Sequence, residues 1–203
     1  MLKIKRVAIT GSLASGKTTV CDFFQEWGAY VVSADALLHQ AFSCNNSIRR
    51  KVCQIFGDTV LEGKSINRSK IAEIVLHSPD LLTQLETICH PYVNQEIQKR
   101  YKEVCDKKEH LLFVAEIPLL FESHHSLKEW FDVTILVFSS EKQAKQRYLE
   151  KGGTAEQFEF REARRMPLEE INTLVDYTLS NDESLALLKK RSNILFKKLT
   201  QNF

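Results

Sequence analysis

The sequence predicts an α/β fold, a parallel sheet flanked by helices. Several short runs that are apolar throughout alternate with longer segments of helical periodicity. Strands buried on both faces need helices on each side of their sheet. The first apolar run also leads through a small polar loop straight into an amphipathic helix, as a βα unit requires.

The elements follow in order. Residues 4–9 read as a buried strand, and "GSLASGKT" follows almost at once. Val20, Phe23, Phe24 and Trp27 then recur at helical spacing, and Gly28 stands where a helix should stop. "AYVVSAD", 29–35, is a second strand. Helical patterns occupy 35–42, 48–56, 68–77, 79–89 and 91–107, the break falling at Pro91. "LLFVAE", 111–116, and "DVTILVF", 132–138, are further buried strands. Helices are expected over 141–150, 154–165 and 183–200, with a last strand at 176–179. Thr154 and Gln157 form a capping-box pair at the start of one of these helices.

This spacing predicts one unit over 1–203 with two appendages. A long helical interval, 36–108, separates the second and third strands of the core. A second insertion, 141–172, holds Gly152 and Gly153 and is basic through Lys142, Lys145, Arg147, Lys151, Arg161, Arg164 and Arg165. The 203 residues are 43% hydrophobic and 27% charged, a globular balance. A net charge of +2 argues against a bulk nucleic-acid partner. The apolar run Val7-Ala8-Ile9 is too short for a signal-peptide core, and no stretch is long enough for a membrane span. Cys21, Cys44, Cys53, Cys89 and Cys105 include no C-x-x-C pair, and His124 and His125 have no cysteine nearby. The expectation is reduced thiols, no zinc site, no membrane partner and a cytoplasmic location.

The loop from Gly11 to Thr18 satisfies G-x-x-x-x-G-K-[ST] in the strand–loop–helix context that the motif needs. Gly11 and Gly16 permit backbone angles that turn the N–H groups of Ser12, Leu13, Ala14 and Ser15 toward a phosphate. The helix that follows aims its positive end at the same spot. Lys17 supplies a mobile charge for the β and γ phosphates. Thr18 offers a hydroxyl to Mg²⁺, and Thr19 continues the turn. The motif points to binding of a nucleoside triphosphate, ATP in the reading preferred here. No N-K-x-D base-reading motif of GTPases is present.

Glu116 ends the third core strand. It reads as an acid holding a magnesium-bound water, as a base, or as an exposed strand-end carboxylate. Asp35 follows the second strand, where the carboxyl ends of parallel strands open a nucleotide crevice. It is a candidate base for an attacking hydroxyl, and it would also serve as N-cap of the next helix. A short chain with one helical and one basic insertion fits a small-molecule kinase. One insertion would bind the acceptor, and the other would close over ATP and exclude water.

The chain resembles the dephospho-CoA kinase family along nearly its whole length. The resemblance rests on "AITGSLASGKTTV", "VVSADALLHQ", "FGDTVLEGKSINRSKIAEIV", "LETICHPYV", "EIPLLFES", the Q-x-x-x-R of Gln143 and Arg147, and "VDYTLSND". It implies a P-loop NTPase core of the nucleoside-monophosphate-kinase type, with a CoA-binding helical insertion and a lid. It implies ATP-dependent phosphorylation of the ribose 3′-hydroxyl of dephospho-CoA. By the same resemblance Asp35 is the base, and Lys17, Thr18, Arg147 and Arg161 serve ATP. Arg68, His90 and the segment with Pro118 and Leu119 face the acceptor, and Thr10 lies near the reacting phosphate. The chain departs from the family pattern at Ser12 and Ala14, where glycine is usual, and at Ser33, Lys151, Arg165 and Ile171. A kinase for another nucleotide or metabolite, or a non-catalytic ATP switch, would share the motif. The expected assembly is a monomer or a weak homo-oligomer.

Overall fold

Lys5–Gly11 forms strand β1 and Lys17–Glu26 helix α1, followed by β2 (Tyr30–Ser33), α2 (Ala34–Cys44) and α3 (Asn46–Phe56). Two short strands, β3 (Leu61–Glu62) and β4 (Ser65–Ile66), precede α4 (Arg68–Leu76) and the long α5 (Pro79–Lys107). Then come β5 (Leu112–Glu116), β6 (Val133–Phe138), α6 (Glu141–Glu150), α7 (Ala155–Glu162), α8 (Leu168–Leu174), β7 (Tyr177–Ser180) and α9 (Leu185–Thr200). These elements come from a computed structural model that describes residues 4–122 and 127–201. His124 and His125 lie outside the described residues.

The chain divides into two compact units, Met1–Ser33 with Arg100–Phe203, and Ala34–Lys99. The first is built on a five-stranded sheet of order β2-β5-β1-β6-β7, all pairs parallel. The central strand is therefore β1, and the loop that leaves it emerges where strand order reverses, the usual ligand crevice of such sheets. Val7, Ile9, Val114, Ile135 and Val137 are fully buried in the sheet. On one face α1 meets α9, with the Phe24 and Phe196 rings 5.3 Å apart and edge to face. Elsewhere in the unit Tyr101 of α5 and Trp130 pack edge-on against Phe113. Arg6 donates through Nε to Asp132 Oδ2 at 2.9 Å and stacks over Trp130 at 4.9 Å. That carboxylate raises the guanidinium's pKa further.

The second unit has its own core, including Phe42, Ile48, Val52, Val60, Ile71, Leu85 and Cys89. Asn45 caps α3 by accepting from Ser47 N and Ile48 N, both at 3.0 Å. Asn67 does the same for α4, at 2.9 Å from Ser69 N and 3.1 Å from Lys70 N. Such caps are worth about 1 kcal/mol each.

Several elements differ from the sequence expectation. Helix α5 runs unbroken through Pro91. Leu85, Cys89, Val93 and Ile97 keep one stripe buried at a spacing of four. That burial offsets the roughly 3 kcal/mol of an internal proline. The β3–β4 hairpin, turning at Gly63, was not expected because strands of two residues carry no periodicity. The helix expected over 154–165 ends at Glu162, and α8 is an additional helix after Pro167. The capping box of Thr154 and Gln157 is present in both directions. All five cysteines are free. No described helix is long and apolar enough to cross a membrane.

Candidate active site

The phosphate-type loop is built flush against its neighbours. Gly11 has φ 146°, and a Cβ there would lie 1.9 Å from the Val137 carbonyl oxygen on β6. At Ala14, φ is 54°, a left-handed turn made without glycine. Gly16, at φ 101°, is the N-cap of α1 and gives it no side-chain cap. The first N–H groups of α1 therefore lack a capping side chain, the arrangement that binds anions. Lys17 is only 8% exposed. Its Nζ donates to Gly11 O at 3.0 Å and Ser12 O at 2.7 Å, so the ammonium is folded back over the loop. Ser15 Oγ is buried without a partner among the described residues.

Behind Lys17, Thr18 and Thr19 open α1. Thr18 Oγ1 donates to Glu116 Oε1 at 2.9 Å. Parallel pairing sets Glu116 level with Ile9 at the end of β5, beside the start of the loop. Glu116 is 9% exposed, which corrects the reading of an exposed strand-end carboxylate. The Thr10 hydroxyl donates to the Pro118 carbonyl at 3.1 Å, tying β1 to the Pro118–Leu119 turn. A hydroxyl and a carboxylate oxygen side by side suit a hard divalent cation such as Mg²⁺, which takes its other ligands from phosphate and water. Among the described residues no group of three or more His, Cys, Asp or Glu could hold a metal unaided.

The basic insertion reaches this loop from the expected Gln143 and Arg147 through Asn181, which sequence reasoning missed. Arg147, on α6, donates through Nη2 to Gln143 Oε1 at 2.8 Å and to Asn181 O at 2.9 Å. Its Nη1 is buried and unpartnered among the described residues. Asn181, just past β7, sends Nδ2 to Ser15 O at 2.8 Å and lies against Gly16, where a Cβ would come within 2.4 Å of that nitrogen. Asn181 thus braces the loop with its side chain and holds Arg147 with its backbone. Its place after a core strand, where crevices form, was the available signal. Asp182 accepts from the Ser140 N–H at 2.6 Å, and this bond holds its carboxyl below the usual range.

Farther along, Leu13 N donates to Glu162 Oε1 at 3.1 Å, and Arg165 Nη1 lies 3.3 Å from Glu162 Oε2. Arg161 sits over the Tyr148 ring at 5.9 Å. Glu122 accepts from Met166 N at 3.1 Å, so the end of "PLLFE" is tied to the chain before Pro167. Ile171 is buried, a packing residue of α8 in place of a charge. Gly153 lies under Tyr148, where a Cβ would come 2.1 Å from the ring, so this glycine has a packing role.

The remaining predicted residues belong to the second unit. Asp35 is exposed in the first turn of α2, two residues after β2 ends, and not at its N-cap. Arg68 opens α4 just after the Asn67 cap, and its Nη1 is 3.2 Å from His39 Nδ1. His39 is a neighbour that the motif reading did not include. His90 is half-buried on α5, directly before Pro91.

The profile of the dephospho-CoA kinase family matches residues 5–186, which includes the loop, Glu116 and Asn181. The chain belongs to the dephospho-CoA kinase family. It is 39% identical over 183 residues to a dephospho-CoA kinase of Chlamydia pneumoniae, covering 90% of each chain. It is 37% identical over 201 residues to that of Protochlamydia amoebophila, covering 98% of each. Its fold resembles TT1252 from Thermus thermophilus, with a TM-score of 0.77 and 28% identity over 97% of this chain and 98% of that one. A shikimate kinase from Acinetobacter baumannii, 10% identical with a TM-score of 0.56, shares the kinase fold.

Proposed function

We propose that this protein transfers the γ-phosphoryl group of ATP to the ribose 3′-hydroxyl of dephospho-CoA, giving coenzyme A and ADP, the last step of coenzyme A synthesis. The observation that carries the reading is the loop itself. Gly11, Ala14 and Gly16 adopt the turn, Lys17 lies over it, and Thr18 is paired with Glu116, in a chain matched along most of its length by this kinase family.

The N–H groups of the loop and of the first turn of α1 hold the phosphates, and Lys17 follows the charge as it moves toward the bridging oxygen. Thr18 would hold Mg²⁺, with Glu116 orienting it, and the bound ion would neutralise charge on the phosphates. Arg147 is supported by Asn181 and Gln143, and its unpartnered Nη1 is a donor for the nucleotide. Arg161 adds charge from the segment 141–172, which acts as the lid. The helical insertion, 36–108, receives the acceptor, with Arg68 and His90 toward its anionic groups. Asp35 takes the proton of the attacking hydroxyl. The exposure of its carboxylate and its place just past the end of β2 support that role. The reading also includes Thr10, Pro118 and Leu119 close to the acceptor, a monomer or weak homo-oligomer, and work in the cytoplasm.

An acceptor screen that follows ADP release tests the proposal. Release stimulated by dephospho-CoA alone is the expected result. Stimulation only by nucleoside monophosphates would assign a different kinase activity. No stimulation by any acceptor would leave an ATP-binding switch.

A further inference from the structure

Glu162 stands in an unusual place for a carboxylate. Its Oε1 accepts from the backbone N–H of Leu13 at 3.1 Å, inside the loop whose N–H groups bind phosphate. Its Oε2 lies 3.3 Å from Arg165 Nη1. The Arg165 side chain is only 10% exposed, and its Nε is buried without a partner among the described residues. One oxygen therefore satisfies a loop donor, and the other neutralises a cation that is buried and short of acceptors. A phosphoryl oxygen pair would bond to both groups in the same way. A polyphosphate brought to this loop would also meet the negative charge of Glu162, which is 25% exposed and carried by the last residue of α7.

We propose that Glu162 is a built-in surrogate for a phosphate, and that ATP displaces it and takes over both the Leu13 N–H and the Arg165 guanidinium. Arg165 is then a phosphate-binding residue that Glu162 masks in the free enzyme. This inference rests on the reading of the loop as an ATP site.

Titration calorimetry with a non-hydrolysable ATP analogue, on the full chain, tests it without activity. Glu162→Gln keeps the shape but removes the competing charge, and it should bind the analogue about tenfold more tightly. Arg165→Gln should bind about tenfold more weakly. In the double variant the gain from Glu162→Gln should shrink, because only the Leu13 N–H is left to release. Glu162→Ala, with thermal melts alongside, guards against misfolding and should also bind more tightly. Unchanged or weaker binding by both folded Glu162 variants, while the wild type binds, overturns the inference and leaves the ATP site standing. Binding by no form, wild type included, overturns the ATP site and the inference with it.

Discussion

Lys17 and Asp35 divide the proposed chemistry between charge and proton. Lys17 is held over the loop by two carbonyls, and its charge matters most as the phosphoryl group moves. Lys17→Ala should lower kcat about 10²–10³-fold, the scale of one lost transition-state donor, with the melting temperature kept. A folded variant of normal kcat would end that role. Asp35→Asn should lower kcat about 10²–10⁴-fold, the range for a lost general base. ATP affinity and stability should stay, because Asp35 is exposed and does not occupy the cap of α2. Ala14 allows a different test. Its left-handed φ of 54° costs about 1–2 kcal/mol for a residue with a Cβ. Ala14→Gly relieves that strain but loosens the unfolded chain, so a net gain of about 0.5–1 kcal/mol is expected in urea unfolding.

Helix α6 shows how an element is aimed. Its start is held by Asp182, its Gln143 by the Asp182 carbonyl, and its Arg147 by the Asn181 carbonyl. Asn181→Ala removes the bond to Ser15 O while leaving that backbone carbonyl. The loop should loosen, raising KM for ATP by about tenfold, the worth of a buried hydrogen bond with its desolvation. An unchanged KM would show that the loop holds its shape unaided. The segment 141–172 is the proposed lid, and its amides should gain hydrogen-exchange protection when an ATP analogue binds. Equal protection in both states would count against closure. Within this segment Gly153 is fixed by its packing under Tyr148.

The molecule as a folded unit responds to acid through groups like Asp182. Its carboxyl is lowered from the ordinary 3.8, chiefly by the Ser140 N–H. The native state therefore releases this proton more readily than the unfolded chain does. The resulting stability is complete above the ordinary value and is lost as pH falls through the lower native value. Asp182→Asn should make the acid side of the stability profile shallower from the ordinary 3.8 downward, measured by urea unfolding. A profile unchanged in slope would remove Asp182 from the acid response. The thiols differ in the opposite sense. Burial pushes Cys89 up to about 12 and Cys21 well above its usual value, whereas Cys44 is exposed. A thiol reagent should label Cys44 in the native protein and spare Cys21 and Cys89.

The strands of the core, the phosphate loop and the family were legible from local patterns. Apolar runs, a Gly-x-x-x-x-Gly-Lys-Thr spacing and short quoted motifs all depend on residues near one another in the chain. What stayed hidden depends on partners far apart in it. Asn181 meets Ser15, and Glu162 meets Leu13, through contacts that no spacing rule contains. Pro91 reads locally as a helix break, yet the buried stripe from Leu85 to Ile97 carries α5 through it. Glu116 reads locally as a strand-end charge, yet the register with β1 buries it against Thr18. Local sequence limits the angles and periods open to each segment, while burial and long-range hydrogen bonds choose among them. Those terms exist only once the chain is packed.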